Sequence, residues 1–202
     1  MPNRSPSNSG HASSGDDDGG QRFERRVLPH LDAAYNLARW LTLNDDDARD
    51  VVQEALLRAM RHIHALRVER ERAWLLQIVR HTCFSWLKEN RSVDIVALDD
   101  TEDEWAVIAA PSSDEPPAVA ASRAGKEQIN AAIAGLPVTY REVLVLRELE
   151  DLSYSEIARI ANIPVGSVMA RLSRARGLMR LALTQATVPL LRSPRLPLSQ
   201  SR

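Results

Sequence analysis

A chain of 202 residues with a formal net charge of −1 has room for one or two domains, and its charge balance argues against a simple basic DNA-binder. Hydrophobic residues make up 44% of it, enough for small cores, yet no run approaches a membrane span and the N-terminus lacks the basic start and apolar stretch of a signal peptide. Cys83 is the lone cysteine, so no internal disulfide can form and a reducing cytoplasm is the expected compartment.

The charges are unevenly placed. Acidic clusters at Asp16–Asp18, Asp45–Asp50 and Asp94–Glu115 contrast with a C-terminal stretch from Ile157 that holds no Asp or Glu, an asymmetry that suggests different partners for different halves. Residues 1–21, rich in Ser, Gly, Asn and Asp, are expected to form a disordered tail. A first helix is expected over Leu31–Leu41, where Leu31, Ala34, Tyr35, Ala38 and Leu41 keep helical spacing. Asn44 then caps a second helix whose first turn carries Asp45, Asp46 and Asp47, as the positive end of the helix dipole favours. Val52, Ala55, Leu56, Ala59 and Ile63 make its buried stripe. Almost opposite lie Asp46, Asp50, Glu54, Leu57 and Arg61, with Gln53 alongside. An exposed leucine on an acidic strip is the pattern of a docking surface; an ordinary solvated helix face carries the same pattern often enough that composition alone does not decide.

Residues 64–72 read as a charged loop. A long helix follows from Ala73 to about Asn90, with Trp74, Leu75, Ile78, Val79, Thr82 and Trp86 on its inner side and Arg80, Lys88 and Arg91 outside. Trp74 falls on the buried stripe and is read as core; Trp86 fits either core or stacking surface. From about Ser92 to Ser122 the chain turns acidic and proline-bearing with no sustained period, which marks a domain boundary, whether as a spacer or as something more. Lys126–Gly135 forms the first helix of a second domain, closed by Leu136-Pro137.

TYREVLVLRELEDLSYSEIARIANIPVGSVMARLSRARGLMR, Thr139 to Arg180, reads as three consecutive helices. Thr139 with Glu142, and Ser153 with Glu156, have capping-box spacing. Asn162 suits a left-handed helix end and Pro164 a new first turn, so the last two helices frame a helix-turn-helix. In the third helix Val168, Leu172, Ala175 and Met179 share an inner stripe, while Ala170, Ser173, Arg174 and Gly177 lie opposite. Arg171 is on one flank of the stripe, Arg176 and Arg180 on the other. Small residues between basic ones let a helix sit deep in a major groove while guanidinium groups hold phosphates on either wall. The competing description is a solvated basic face on a bundle helix, since helix-turn-helix geometry recurs in folds that bind no DNA. Residues 187–202, with several prolines, read as a loose basic tail.

Leu136 to Arg176, with its Leu-Pro start, Arg-Glu followed by alternating apolar residues, Ser-Tyr-x-Glu-Ile-Ala and Gly-Ser-Val-x-x-Arg-Leu-x-Arg-Ala-Arg, closely resembles the promoter-binding domain of bacterial sigma factors of the extracytoplasmic-function (ECF) group. DDDARDVVQEALLRAMRHI, Asp45 to Ile63, resembles the helix with which those factors dock on the clamp coiled coil of the polymerase β′ subunit. RAWLLQIVRHTCFSWLKENR resembles their segment that holds the melted minus-10 strand, with His81 where Asn is usual and Ser85 where Asp is usual. The resemblance, which spans roughly Leu31 to Leu183, implies an all-α fold of two small helical domains, a region 2-like bundle over 22–91 and a region 4-like helix-turn-helix over 126–186, joined by an acidic linker over 92–125 that threads polymerase channels.

It implies core-polymerase contacts by Asp46, Asp50, Gln53, Glu54 and Leu57, minus-10 contacts by Arg80, His81, Trp86, Lys88 and Arg91, and minus-35 contacts by Ser167, Met169, Ala170, Arg171, Ser173, Arg174, Arg176 and Arg180. The expected partners are core RNA polymerase through β′ and β, promoter DNA, and an anti-sigma factor of the kind that a membrane protein can carry; no cofactor, metal or catalytic residue is called for. Two rivals remain. A stand-alone DNA-binding regulator would use the same last helix but leave the acidic strip without a purpose. A zinc protein built on His62, His64, His81 and Cys83 is disfavoured because residues i and i+2 on a helix point about 200° apart.

Overall fold

The structure, a computed structural model, describes residues 14–66, 70–90 and 117–187; Arg91, residues 92–116 of the acidic stretch and the tail beyond Thr187 lie outside them. The described residues are helices and turns, with no strand among them. The chain divides into two compact units: the first gathers the helices up to Asn90, the second those from Pro117 onward.

The first unit holds α1 (Ser14–Arg26), α2 (Leu31–Thr42), α3 (Asp45–Arg61) and α4 (Glu71–Asn90), with 3-10 turns at Leu28–His30 and Ile63–Ala65. α2, α3 and α4 pack on one another through Leu37, Leu41, Leu75, Leu76 and Val79, all fully buried. Ala34, Ala38, Ala48, Ala55 and Ala59 are equally buried, and such small side chains let helix axes approach closely without leaving voids. Leu43, in the left-handed region at φ 57°, ends α2 without a glycine. Its neighbour Asn44 starts α3: the side-chain oxygen accepts the amides of Asp46 at 2.8 Å and Asp47 at 3.1 Å. An Asn44→Ala chain is expected to lose about 1 kcal/mol, because both amides are left without that acceptor. A lowered urea midpoint checks this, and an unchanged one means that the cap contributes nothing.

Residues 14–21, expected in a disordered tail, are helical. α1 packs on the 3-10 turn after α3 and on α3 itself, and this tertiary contact outweighs a composition poor in helix formers. Arg26 and Glu71, paired at 2.8 Å, tie its end to the start of α4. α4 is turned relative to the expected stripe: Leu76, Cys83 and Leu87 are buried, while Trp74, Ile78 and Trp86 are only half-buried. A bulky indole whose N–H seeks a partner sits more easily at the rim of a core than at its centre.

The second unit holds α5 (Pro117–Gly135), α6 (Val138–Leu144), which passes into a π turn at Val145–Leu149, then α7 (Tyr154–Ala161) and α8 (Val165–Thr187). α5 begins nine residues before the expected Lys126, because Pro117 suits a first helical turn and Ala118, Ala120, Ala121 and Ala124 favour continuation. Val143, Leu146, Ile157, Val168, Leu172 and Ala175 form the core, so three of the four residues of the inner stripe expected for α8 are buried, while Met179 is half-buried. Of the two capping boxes one forms. The Ser153 amide donates to Glu156 Oε2 at 2.9 Å, and the Glu156 amide to Ser153 Oγ at 3.3 Å. Thr139 and Glu142, by contrast, lie buried inside α6, which starts from the Pro137 carbonyl.

Candidate functional site

Three surfaces carry the residues singled out by sequence. On α3, Asp46, Asp50, Gln53 and Leu57 are exposed and Glu54 is half-exposed, all on the side turned from the α2–α4 core. Two of these acids already have partners on their own helix, Asp46 with Arg49 and Glu54 with Arg58 at 2.7 Å. Exposed pairs of this kind hold their charges only weakly and yield readily to a competing partner. Beside the strip a groove of about 520 Å³ opens between α1, α2 and α3, lined by Leu31, Tyr35, Val52, Leu56, Leu57 and Met60 among others. Leu57 and Met60 are 46% and 54% exposed, so the acidic strip borders a continuous apolar surface and not an isolated leucine. Met60 was not singled out by sequence, though its spacing of three from Leu57 marks it as a neighbour on the same face.

On α4 the structure divides the expected set. Arg80, His81 and Lys88 point to one side, with the Arg80 guanidinium 4.4 Å from the centroid of the Phe84 ring. Trp86 lies about 120° round the helix from Arg80, toward the bundle. Phe84, half-exposed and stacked under a cation, is the flat side chain that shares a face with the basic residues; the signal for it was the four-residue spacing Arg80–Phe84. His81 is exposed whereas Cys83 is fully buried, so the two residues of the hypothetical zinc site face apart.

On α8 the outward face is Gly166, Ala170, Ser173, Arg174 and Gly177. Asn162, at φ 54°, and Pro164 turn the chain from α7 into α8. A Cβ added at Gly166 or Gly177 would meet no atom within 4 Å, so nothing inside the protein requires these positions to be small. Ala170, Ser173, Arg174, Arg176 and Arg180 are exposed, Met169 is 51% exposed, and Ser167 and Arg171 are half-buried. Two of the arginines are braced by earlier elements. Arg174 Nη1 donates to the Tyr140 hydroxyl at 3.3 Å, and Arg176 donates from Nε and Nη2 to Glu148 Oε1 at 3.2 and 2.6 Å. The hydrogen bond that Arg176 donates to Glu148, and after it the one to Tyr154, raises its pKa above its ordinary value. Sequence alone signalled neither Tyr140 nor Glu148. The arrangement offers a floor of small residues interrupted by Arg174 and bordered by further arginines, a shape that admits a polyanionic duplex.

Residues 27–93 match the family described as Sigma-70 region 2, and residues 126–179 match Sigma-70, region 4. The chain is 29% identical over 166 residues to the RNA polymerase sigma factor SigV of Bacillus subtilis, covering 79% of this chain and 89% of that protein. It is 34% identical over 145 residues to the ECF RNA polymerase sigma-E factor of Haemophilus influenzae, covering 69% and 75%. In fold it is similar to the sigma factor RpoE of Bartonella quintana, solved in complex with the anti-sigma factor NepR, with a TM-score of 0.60 and 24% identity over 81% of this chain and 98% of that one.

Proposed function

Because the chain belongs to the ECF sigma factors, which act in promoter-specific initiation of transcription by RNA polymerase, we propose that its two helical units divide that work. The unit of residues 22–91 docks on core polymerase through Asp46, Asp50, Gln53, Glu54 and Leu57 of α3. The apolar groove beside them takes side chains of the partner and the acids draw its basic ones. Arg80, His81 and Lys88 of α4, with Arg91 beyond the described residues, hold the phosphates of the opened minus-10 strand. Phe84 joins or replaces Trp86 as a stacking surface. The unit of residues 126–186 lays α8 in the major groove of the minus-35 element, Arg174 and Met169 toward base edges and Arg171, Arg176 and Arg180 toward phosphates. The stretch 92–116 tethers the two.

The observation that carries this reading is the outward face of α8, where small residues unneeded for packing lie between arginines. The chain works by binding energy alone, leaving nucleotidyl transfer to the polymerase, and acts in the cytoplasm where polymerase and DNA are. Among the described residues no helix is long and apolar enough to cross a membrane. An anti-sigma factor is a further partner, as NepR is for the Bartonella quintana protein. The test is footprinting of promoter DNA by core polymerase with and without the full chain: two protected elements about 25 base pairs apart, seen only with the chain, are expected from roughly two and a half turns of B-DNA. Protection identical to that by core polymerase alone would contradict it.

Arg180 separates phosphate contacts from base contacts. An Arg180→Ala chain is expected to bind promoter and non-promoter duplex more weakly by the same factor, with a salt slope reduced by about one. Titrations at several salt concentrations check this, and a loss confined to promoter DNA would give Arg180 a base-reading role instead.

A further inference from the structure

No acid follows Glu156 in the sequence, so any carboxylate beside α8 must be delivered by an earlier element. Glu148 is delivered by the π turn Val145–Leu149, whose wider ring is closed by the Glu150 amide donating to the Val145 carbonyl at 3.1 Å. Its Oε1 takes two donors of Arg176, the partners 47% and 46% exposed. At about 100° per residue Arg176 stands on the same flank of α8 as Arg180, one turn nearer the helix start. A half-exposed carboxylate therefore sits on the flank where the charged residues of α8 itself, Arg176 and Arg180, are both cations.

We infer that Glu148 restrains the DNA affinity of this factor: it occupies the Nε–Nη2 edge of Arg176, the edge through which a guanidinium makes a two-pronged contact with a backbone phosphate, so a duplex has to displace it before that contact forms. Phosphates are alike in every sequence, so the restraint acts equally on promoter and non-promoter DNA and shortens unproductive residence on the latter. This rests on the reading of α8 as the groove-facing helix. Removing the negative charge while keeping the shape tests it, with holoenzyme made from core polymerase and the full chain.

Glu148→Gln is expected to tighten binding to both duplexes about three- to five-fold, the size of an exposed ion pair, and to steepen the salt slope by about one. In an Arg176→Ala background the same change should do nothing. Glu148 is exposed, so circular dichroism should show an unaltered fold. Unchanged or weaker binding by E148Q, with R176A weakening it, overturns the inference and leaves the DNA-binding reading of α8 standing. Tightening that persists in the R176A background overturns it too, since Glu148 would then act on DNA without Arg176. If neither variant differs from the parent chain, the reading of α8 fails and the inference with it.

Discussion

A Glu54→Lys chain is expected to fold like the parent and to bind core polymerase about 10- to 100-fold more weakly, the range in which like charges brought together at a docked interface fall. Glu54 lies midway along the outward strip of α3, between Asp50 and Leu57, with a side chain 46% exposed. It pairs with Arg58, four residues on, an interaction worth about 0.3–0.5 kcal/mol, so the helix itself loses little. Reversal of the charge turns an attraction for a basic partner surface into a repulsion at the edge of the apolar groove. Competition against the parent chain for a limiting amount of core polymerase measures the effect. Equal competition by E54K would remove α3 from the polymerase interface.

Arg174→Ala is expected to weaken promoter binding about 5- to 100-fold, the discrimination carried by one bidentate base contact, while non-promoter binding changes far less. Arg174 is on the outward face of α8 opposite the buried stripe, and the Tyr140 hydroxyl at 3.3 Å steadies its guanidinium. Because the lost contact is to a base edge, the preferred minus-35 sequence should change as well as the affinity. Selection from a randomised minus-35 library reads both at once. A variant that selects the parental sequence with parental affinity would show that Arg174 faces no base.

These outcomes depend on two surfaces that differ in how far sequence exposes them. The strip on α3 and the face of α8 follow from helical spacing, since residues three and four apart must lie together once the helix forms. The Ser153–Glu156 box was legible for the same reason. The identical spacing of Thr139 and Glu142 misled, because Leu136-Pro137 had already opened α6 and left both residues inside it, where the same side chains are buried. Local pattern does not tell which of two overlapping start signals wins. The rotation of α4 was hidden for another reason: Trp74 and Leu76 are both apolar, and only the room available between α2 and α3 selects the leucine for the interior. The braces on α8 were beyond any pattern in the sequence. Tyr140 and Arg174 are 34 positions apart, Glu148 and Arg176 are 28, and each meeting is made by the fold of the second unit. Helix α1 shows the same limit at the other end, a segment ordered by what it touches.

The central claim is that one chain joins polymerase to promoter through these two faces. Mapping the 5′ ends of transcripts made by core polymerase on genomic fragments, with the parent chain, with E54K and with R174A, tests it most directly. Start sites absent from core polymerase alone should appear with the parent, vanish with E54K and shift or fade with R174A. Ends identical to those of core polymerase alone, at every chain concentration tried, would contradict it.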